Sequence, residues 1–330
     1  MTRKEINFTR IIRSRGMAIL FGIFSVIMVL QAWVAGKIPT LHTTMTVAFA
    51  PPTEWIGDMW ISMWVNIALL VGTGALMIVI NRSFNLLRTL SVYFAAFFMF
   101  ATASTPMIAG QMSGSVVLAI VVLLSMWTMF TIYAVRASSR RVFLTFFLLG
   151  LGAMVQYATL LYVPVFIIGL GQMRILKFKK IIAALLGIIT PAWIVWGLGI
   201  LPLPTLPVIE FTPPSMLLST PGGWPFLATV AFSLTLGFFT GLVNLIKIIG
   251  FNAQARAYNG LLMLISIATG IFAIVNFTNL PFYVTLLNAC VAFQVGHFFR
   301  FTSMRRGYLF VTSFMVVYLG LYLWSMFGQI

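Results

Sequence analysis

Between Arg141 and Arg174 the chain runs for 32 residues without a charge, VFLTFFLLGLGAMVQYATLLYVPVFIIGLGQM, and this stretch limits the fold more than any other. Basic residues bracket it, with Arg136, Arg140 and Arg141 before it and Arg174, Lys177, Lys179 and Lys180 after it. As a single helix it would be roughly 48 Å long. A bilayer's hydrocarbon core is about 30 Å thick, so one pass would leave roughly a third of the helix over. Two shorter helices that enter and return to one side fit better, with Gly150, Gly152, Pro164, Gly169 and Gly171 available to break or bend them.

Hydrophobic residues make up 61% of the chain and charged residues 7%. A soluble domain carries about 25% charged residues. No soluble fold buries that much apolar surface, so the composition describes a polytopic membrane protein. The net charge of +16 does not describe a nucleic-acid binder, because the basic residues sit in short turns between apolar runs, as cytoplasmic loops require. A single cysteine, Cys290, excludes an intrachain disulfide and a cysteine-cluster metal site.

In chain order, residues 1–15 form a basic cytoplasmic segment, and an uncleaved first span follows at about 16–35. Residues 37–60 form a first exported loop, and further spans are expected near 61–80, 89–108 and 115–135, with a tight exported turn at Gly110–Gly114. After the central stretch come spans near 181–200, interrupted by Pro191, and 225–246, 260–276, 281–299 and 307–327. The segment 201–223 is a second exported loop, rich in proline and free of basic residues. If the central stretch is a hairpin, every Lys and Arg except Lys37 falls on the cytoplasmic side, and Glu54, Asp58 and Glu210 fall outside. If it crosses once, Arg174 to Lys180, Lys247, Arg256, Arg300, Arg305 and Arg306 are all exported, against the positive-inside bias. The expectation is an all-α bundle of nine full spans plus one central hairpin of half-helices, about 11 helices in a single membrane domain (1–330). Its N-terminus is cytoplasmic, its C-terminus exported, and the hairpin tip lies within the bilayer among surrounding helices.

Acidic residues are scarce: Glu5, Glu54, Asp58 and Glu210. Glu54 and Asp58 are four apart and would share one face of a helix beside Trp55, Met59 and Trp60, at the depth where aromatic rings prefer the interface. They are the candidate catalytic acids, read against a simpler role as solvated loop carboxylates. Candidate substrate-binding residues are His42 in the same loop, Gln156 and Tyr157 near the hairpin tip, and Glu210 in the other exported loop. His42 stands at no recognised metal spacing from the acids, and no second cluster completes a metal shell. His297 reads as a snorkelling or hydrogen-bonded residue at the cytoplasmic end of its span. Asn66, Asn244, Asn288 and Gln294 read as interhelical hydrogen bonds, and Gly237 with Gly241 as a small-residue packing motif. No P-loop, dinucleotide fingerprint or His-Glu zinc pattern occurs, and no acid or base lies deep within a span, which argues against an ion-coupled carrier.

The run with Gly150, Gly152, Tyr162 and Pro164, the basic turn after it, and the span with Gly187 and Pro191 together resemble a stretch of polytopic bacterial envelope proteins. The pattern, over about residues 80–300, is similar to an uncharacterised inner-membrane family with a glycosyltransferase-C-like or polysaccharide-polymerase-like helix arrangement. That resemblance implies a catalytic acid in the first exported loop, at Glu54 or Asp58, and a polyprenyl-linked glycan as the partner in the lipid bilayer. The chain departs from the family in having no large exported domain and no exported arginine. Three classes of function stay open: a membrane enzyme or accessory factor of surface-glycan biogenesis, a non-catalytic subunit of an envelope or secretion complex, and an uncoupled lipid or small-molecule transporter.

Overall fold

Within lipid every backbone polar group must be satisfied internally, so an apolar chain punctuated by basic turns folds as helices. The computed structural model describes residues 15–38, 48–87, 92–134, 138–201, 222–301 and 304–328, and among them there is no strand. The helices are α1 (Arg15–Val34), α2 (Met59–Phe84), α3 (Tyr93–Ala103), α4 (Pro106–Ala109), α5 (Gly114–Ala134) and α6 (Ser139–Val155). They continue as α7 (Tyr162–Gln172), α8 (Phe178–Ala192), α9 (Gly223–Ile248), α10 (Ala253–Val275), α11 (Leu280–Phe301) and α12 (Met304–Phe327). Among the described residues, seven helical stretches are long and apolar enough to cross a bilayer: those of α1, α2, α5, α8 with the turn after it, α9, α10 and α12. The chain is an integral membrane protein. Helices α3 and α11 run through the middle, packed by Phe97, Phe98, Tyr283 and Phe293.

The central stretch folds back on itself. It breaks at Gln156, whose extended backbone ends α6, and a 3-10 turn over Tyr157–Leu161 leads into α7. Helix α6 runs antiparallel to α5: Arg141 Nη1 donates to Thr131 O at 2.6 Å at one end, and Gln156 lies against Gly114 at the other. Helix α7 then returns, placing Gly169 beside Met129 and Gln172 beside Gly260. Helix α8 starts again from the end where α6 began, so α6 and α8 run parallel, with Gly187 against Phe143 and Phe147 and Gly150 against Ile188 and Pro191. The hairpin's two limbs are close in length, α6 (Ser139–Val155) and the stretch Tyr157–Gln172. Its first limb is about 25 Å long, and its tip reaches the level at which α5 begins.

Of the glycines expected to break the helices, Gly150, Gly152 and Gly169 are instead contact points, whereas Gly171 has open space beside it, and Gly187 of α8 is a further contact point. A Cβ at Gly187 would lie 2.5 Å from Phe143 O, and one at Gly150 would lie 2.9 Å from Ile188 O. Only hydrogen side chains let these backbones approach so closely. Pro191 does interrupt its helix: it lies inside α8 and a π-helical turn, Trp193–Gly197, follows.

The segment expected as one span near 89–108 is broken. Ser104 Oγ donates to Ala101 O (2.6 Å) and Thr105 Oγ1 to Thr102 O (2.7 Å), and Pro106 then opens α4. Such hydroxyls compete with the helical ladder and end it. The turn after α4, expected as a tight exported one, is buried within the protein: Gln111, Met112 and Ser113 are all inside, and Ile38 covers Gly110.

Polar side chains join the other helices. Asn66 Nδ2 donates to Ile108 O and Ala109 O, and Asn244 Nδ2 to Gln294 O and Oε1. Asn288 accepts from Ser233 Oγ, and that hydroxyl also pairs with Tyr318 Oη at 2.7 Å. Gly237 and Gly241 serve this same interior, facing Val291 and Met263. His297 is buried on α11 and does not snorkel.

These contacts sort the described charges into two ends. Arg82, Arg140, Arg141, Arg174, Lys177, Lys179, Lys180, Lys247 and Arg256 belong to helix ends or turns at the basic end. Lys37, Glu54 and Asp58 belong to the opposite end, together with the hairpin tip.

Candidate functional site

The site is built where the segment 48–58 lies across the hairpin tip. The last carbonyls of a helix lack intrahelical donors. Met154 O, in the last turn of α6, accepts from Ala48 N at 3.0 Å and from Phe49 N at 3.3 Å. Pro51 and Pro52 then turn the chain into a single 3-10 turn, Pro52–Glu54, and Trp55 Nε1 donates to Ala50 O at 2.7 Å to close it. The segment is thereby fixed at both ends, on α6 and on the start of α2.

Beneath it lies an apolar groove of about 280 Å³, lined by Phe49 and Trp55 from above and by Val117, Val121, Leu151, Gly152 and Val155 from α5 and α6. Its floor is shaped by close packing at the tip, where a Cβ on Gly152 would lie 2.9 Å from Thr159 Cγ2 and 3.0 Å from Val121. A groove of this lining accepts a hydrocarbon chain. Glu54, one residue before Trp55 in the chain, is exposed and is not itself one of the lining residues.

The two acids are separated in role. Asp58 is the N-cap of α2, and its Oδ1 accepts from Trp60 N at 2.7 Å and from Ile61 N at 3.1 Å. An aspartate so placed satisfies two orphan amides and suits the positive end of the helix. Glu54 has no such engagement among the described hydrogen bonds. Because residues 55–58 are not helical, the two carboxylates do not share a helix face as their spacing predicts.

Gln156 and Tyr157 do come together with this end. Gln156 is buried, its Oε1 is 2.7 Å from where a Cβ of Gly114 would stand, and its Nε2 has no partner. Ser113 Oγ, on the residue before that glycine, is also buried without a partner. Tyr157 Oη accepts from Asn279 Nδ2 at 3.4 Å, and Asn276 Nδ2 donates to Tyr283 Oη at 3.0 Å. The hairpin tip therefore carries a polar cluster next to an apolar groove. His42 and Glu210 lie outside the described residues.

Lys37 lines a separate pocket of about 10 Å³ with Ser104, Thr105, Phe226 and Ser325, room for about one water. It shares no lining residue with the groove. Among the described residues no three His, Cys, Asp or Glu side chains group as metal ligands.

Sequence reasoning found the tip residues through the length of the uncharged run. It missed the groove, because Val117, Val121, Leu151 and Val155 are apolar residues in apolar helices and carry no local signal. No family model, no curated protein and no solved structure matches this chain, so what the site does must be read from its own residues.

Proposed function

We propose that the chain is a bacterial inner-membrane protein of cell-envelope or surface-glycan biogenesis. In this reading the groove holds the hydrocarbon tail of a polyprenyl-linked substrate, and Glu54 is the acid beside its head group. The observation that carries it is a 280 Å³ apolar groove whose lining residue Trp55 directly follows an exposed carboxylate in the chain. Glu54 is favoured over Asp58 as general base, because a carboxylate accepting two backbone N–H bonds is held as a helix cap. Gln156 and Tyr157, at the hairpin tip on the same end of the bundle, are the head-group contacts in this reading.

The orientation belongs to the same proposal: basic end in the cytoplasm, acids and hairpin tip exported. The sorting of the described charges supports it. A topology reporter fused near Lys177 that is active only in the exported compartment overturns the orientation and the site with it.

Glu54→Gln is expected to abolish surface-glycan assembly while the protein folds and inserts normally. Full retention of assembly by this variant overturns the catalytic reading.

A further inference from the structure

The start of α8 has every charge of one sign. Lys177 is its N-cap, with an extended backbone and no side-chain capping bond, and Lys179 and Lys180 occupy its first turn. Arg174 stands three residues earlier in a turn with φ of 56°. Because α6 and α8 run parallel, Arg140 at the start of α6 belongs to the same end. A helix N-terminus carries roughly half a positive charge and favours an anion. Here it is surrounded by cations, and the described carboxylates Glu54 and Asp58 are at the other end of the bundle.

Lys180 makes the imbalance specific. Topological lysines keep their ammonium in water. Lys180 is 3% exposed and its Nζ has no hydrogen-bond partner. It is the third residue of the helix, and side chains there lean back toward the N-terminus. An ammonium withdrawn from water without a partner is strongly unfavourable. Helix start, clustered cations and buried Lys180 all lack the same counterpart.

We infer that the start of α8 binds a phosphate group, held by the Phe178 and Lys179 amides, which precede the Lys180 amide that donates to Lys177 O, and by the Lys180 ammonium, with Arg174, Lys177 and Lys179 nearby in the chain. Amides at a helix start with a lysine reaching back across them are a recurrent phosphate cradle. The next turns of α8 expose Ile181, Ile182 and Leu185, and Phe178 stands 76% exposed at the first position. Acyl chains of a phospholipid would lie along that face while its headgroup occupies the helix start. A soluble phosphorylated compound offers the same headgroup chemistry without using the apolar face. This inference stands apart from the groove and from Glu54.

The test uses the full chain in nanodiscs. Choline cancels the headgroup phosphate's charge in phosphatidylcholine, so in phosphatidylcholine discs containing phosphatidylglycerol, whose phosphate keeps its net charge, the wild-type melting midpoint should rise by roughly 2–4 °C over phosphatidylcholine alone. The Lys180→Met variant should show no rise, and in phosphatidylcholine alone it should be at least as stable as wild type, since an unpaired buried charge is gone. Arg256→Gln, which removes a cation from the same end on α10, should keep the rise. Inorganic phosphate added to phosphatidylcholine discs separates the sources: no effect assigns the site to the lipid, and a rise that requires Lys180 assigns it to a free phosphate compound. Native mass spectrometry of the wild type gives a second readout that does not depend on any variant folding, with one phosphatidylglycerol retained through release from the disc. Equal shifts in wild type and Lys180→Met, or no shift from either source, overturn the inference. So does a wild type that retains no phosphatidylglycerol and gains nothing from inorganic phosphate.

Discussion

Two sides of the bundle are held together by different physics. On the hairpin side, α6 and α8 meet through glycines, with backbone against backbone and no side-chain hydrogen bond between them among those described. On the other side, α9, α11 and α12 meet through buried amides and hydroxyls: Asn244 with Gln294, and Ser233 with Asn288 and Tyr318. In lipid there is little hydrophobic drive between helices, so close approach and hydrogen bonding are the main ways to associate them. The difference bears on the site. Because one face of α6 is taken by the glycine contact with α8, its Leu151, Gly152 and Val155 are left to wall the groove with α5.

The sharpest way to break the comparison is Gly187→Val. Its Cβ meets the backbone carbonyl of Phe143, which cannot swing aside as a side-chain end would. A loss of about 1–3 kcal/mol is expected, read as a lowered melting midpoint and a broadened size-exclusion peak in detergent. Asn244→Leu tests the polar side and should lose less, about 0.6–1.7 kcal/mol, because interhelical hydrogen bonds in bilayers are modest and the unfolded reference also finds partners. If Asn244→Leu destabilises more than Gly187→Val, the contrast is reversed.

The smallest effects concern the segment over the groove. Asp58→Ala should lower stability by about 1 kcal/mol through loss of the α2 cap, while Asp58→Asn, which can still cap, should lower it far less. Equal losses in the two variants would mean that the charge matters more than the cap. Glu54→Gln should leave the melting midpoint within about 0.5 kcal/mol of wild type. That separates its effect on glycan assembly from any effect on folding.

Legibility followed the physics of each feature. The fold-back of the central stretch was readable because charge and length act through the whole membrane, whatever the local packing. Asn66, Asn244, Asn288 and Gln294 were readable as helix-to-helix bonds because a polar group in hydrocarbon must find a partner. The break in α3 at Ser104 and Thr105 was missed, since hydroxyls in an apolar run also occur in unbroken helices. Lys180 was read as part of a basic turn. Only the start of α8 at Phe178 placed it inside a helix and under cover.

The sequence by itself determined that this chain lives in a bilayer, where its basic turns gather, and that residues 142–173 cannot be one plain span, because these follow from composition and from the thickness of the hydrocarbon core. Tertiary structure alone decided that Gln156 at the tip packs against Gly114 and that Gly150, Gly152 and Gly169 join helices rather than break them. It also decided that Asp58 is a cap while Glu54 stays exposed beside Trp55. Those outcomes depend on which backbone comes within van der Waals reach of which, and residues far apart in the chain meet only once the bundle has formed.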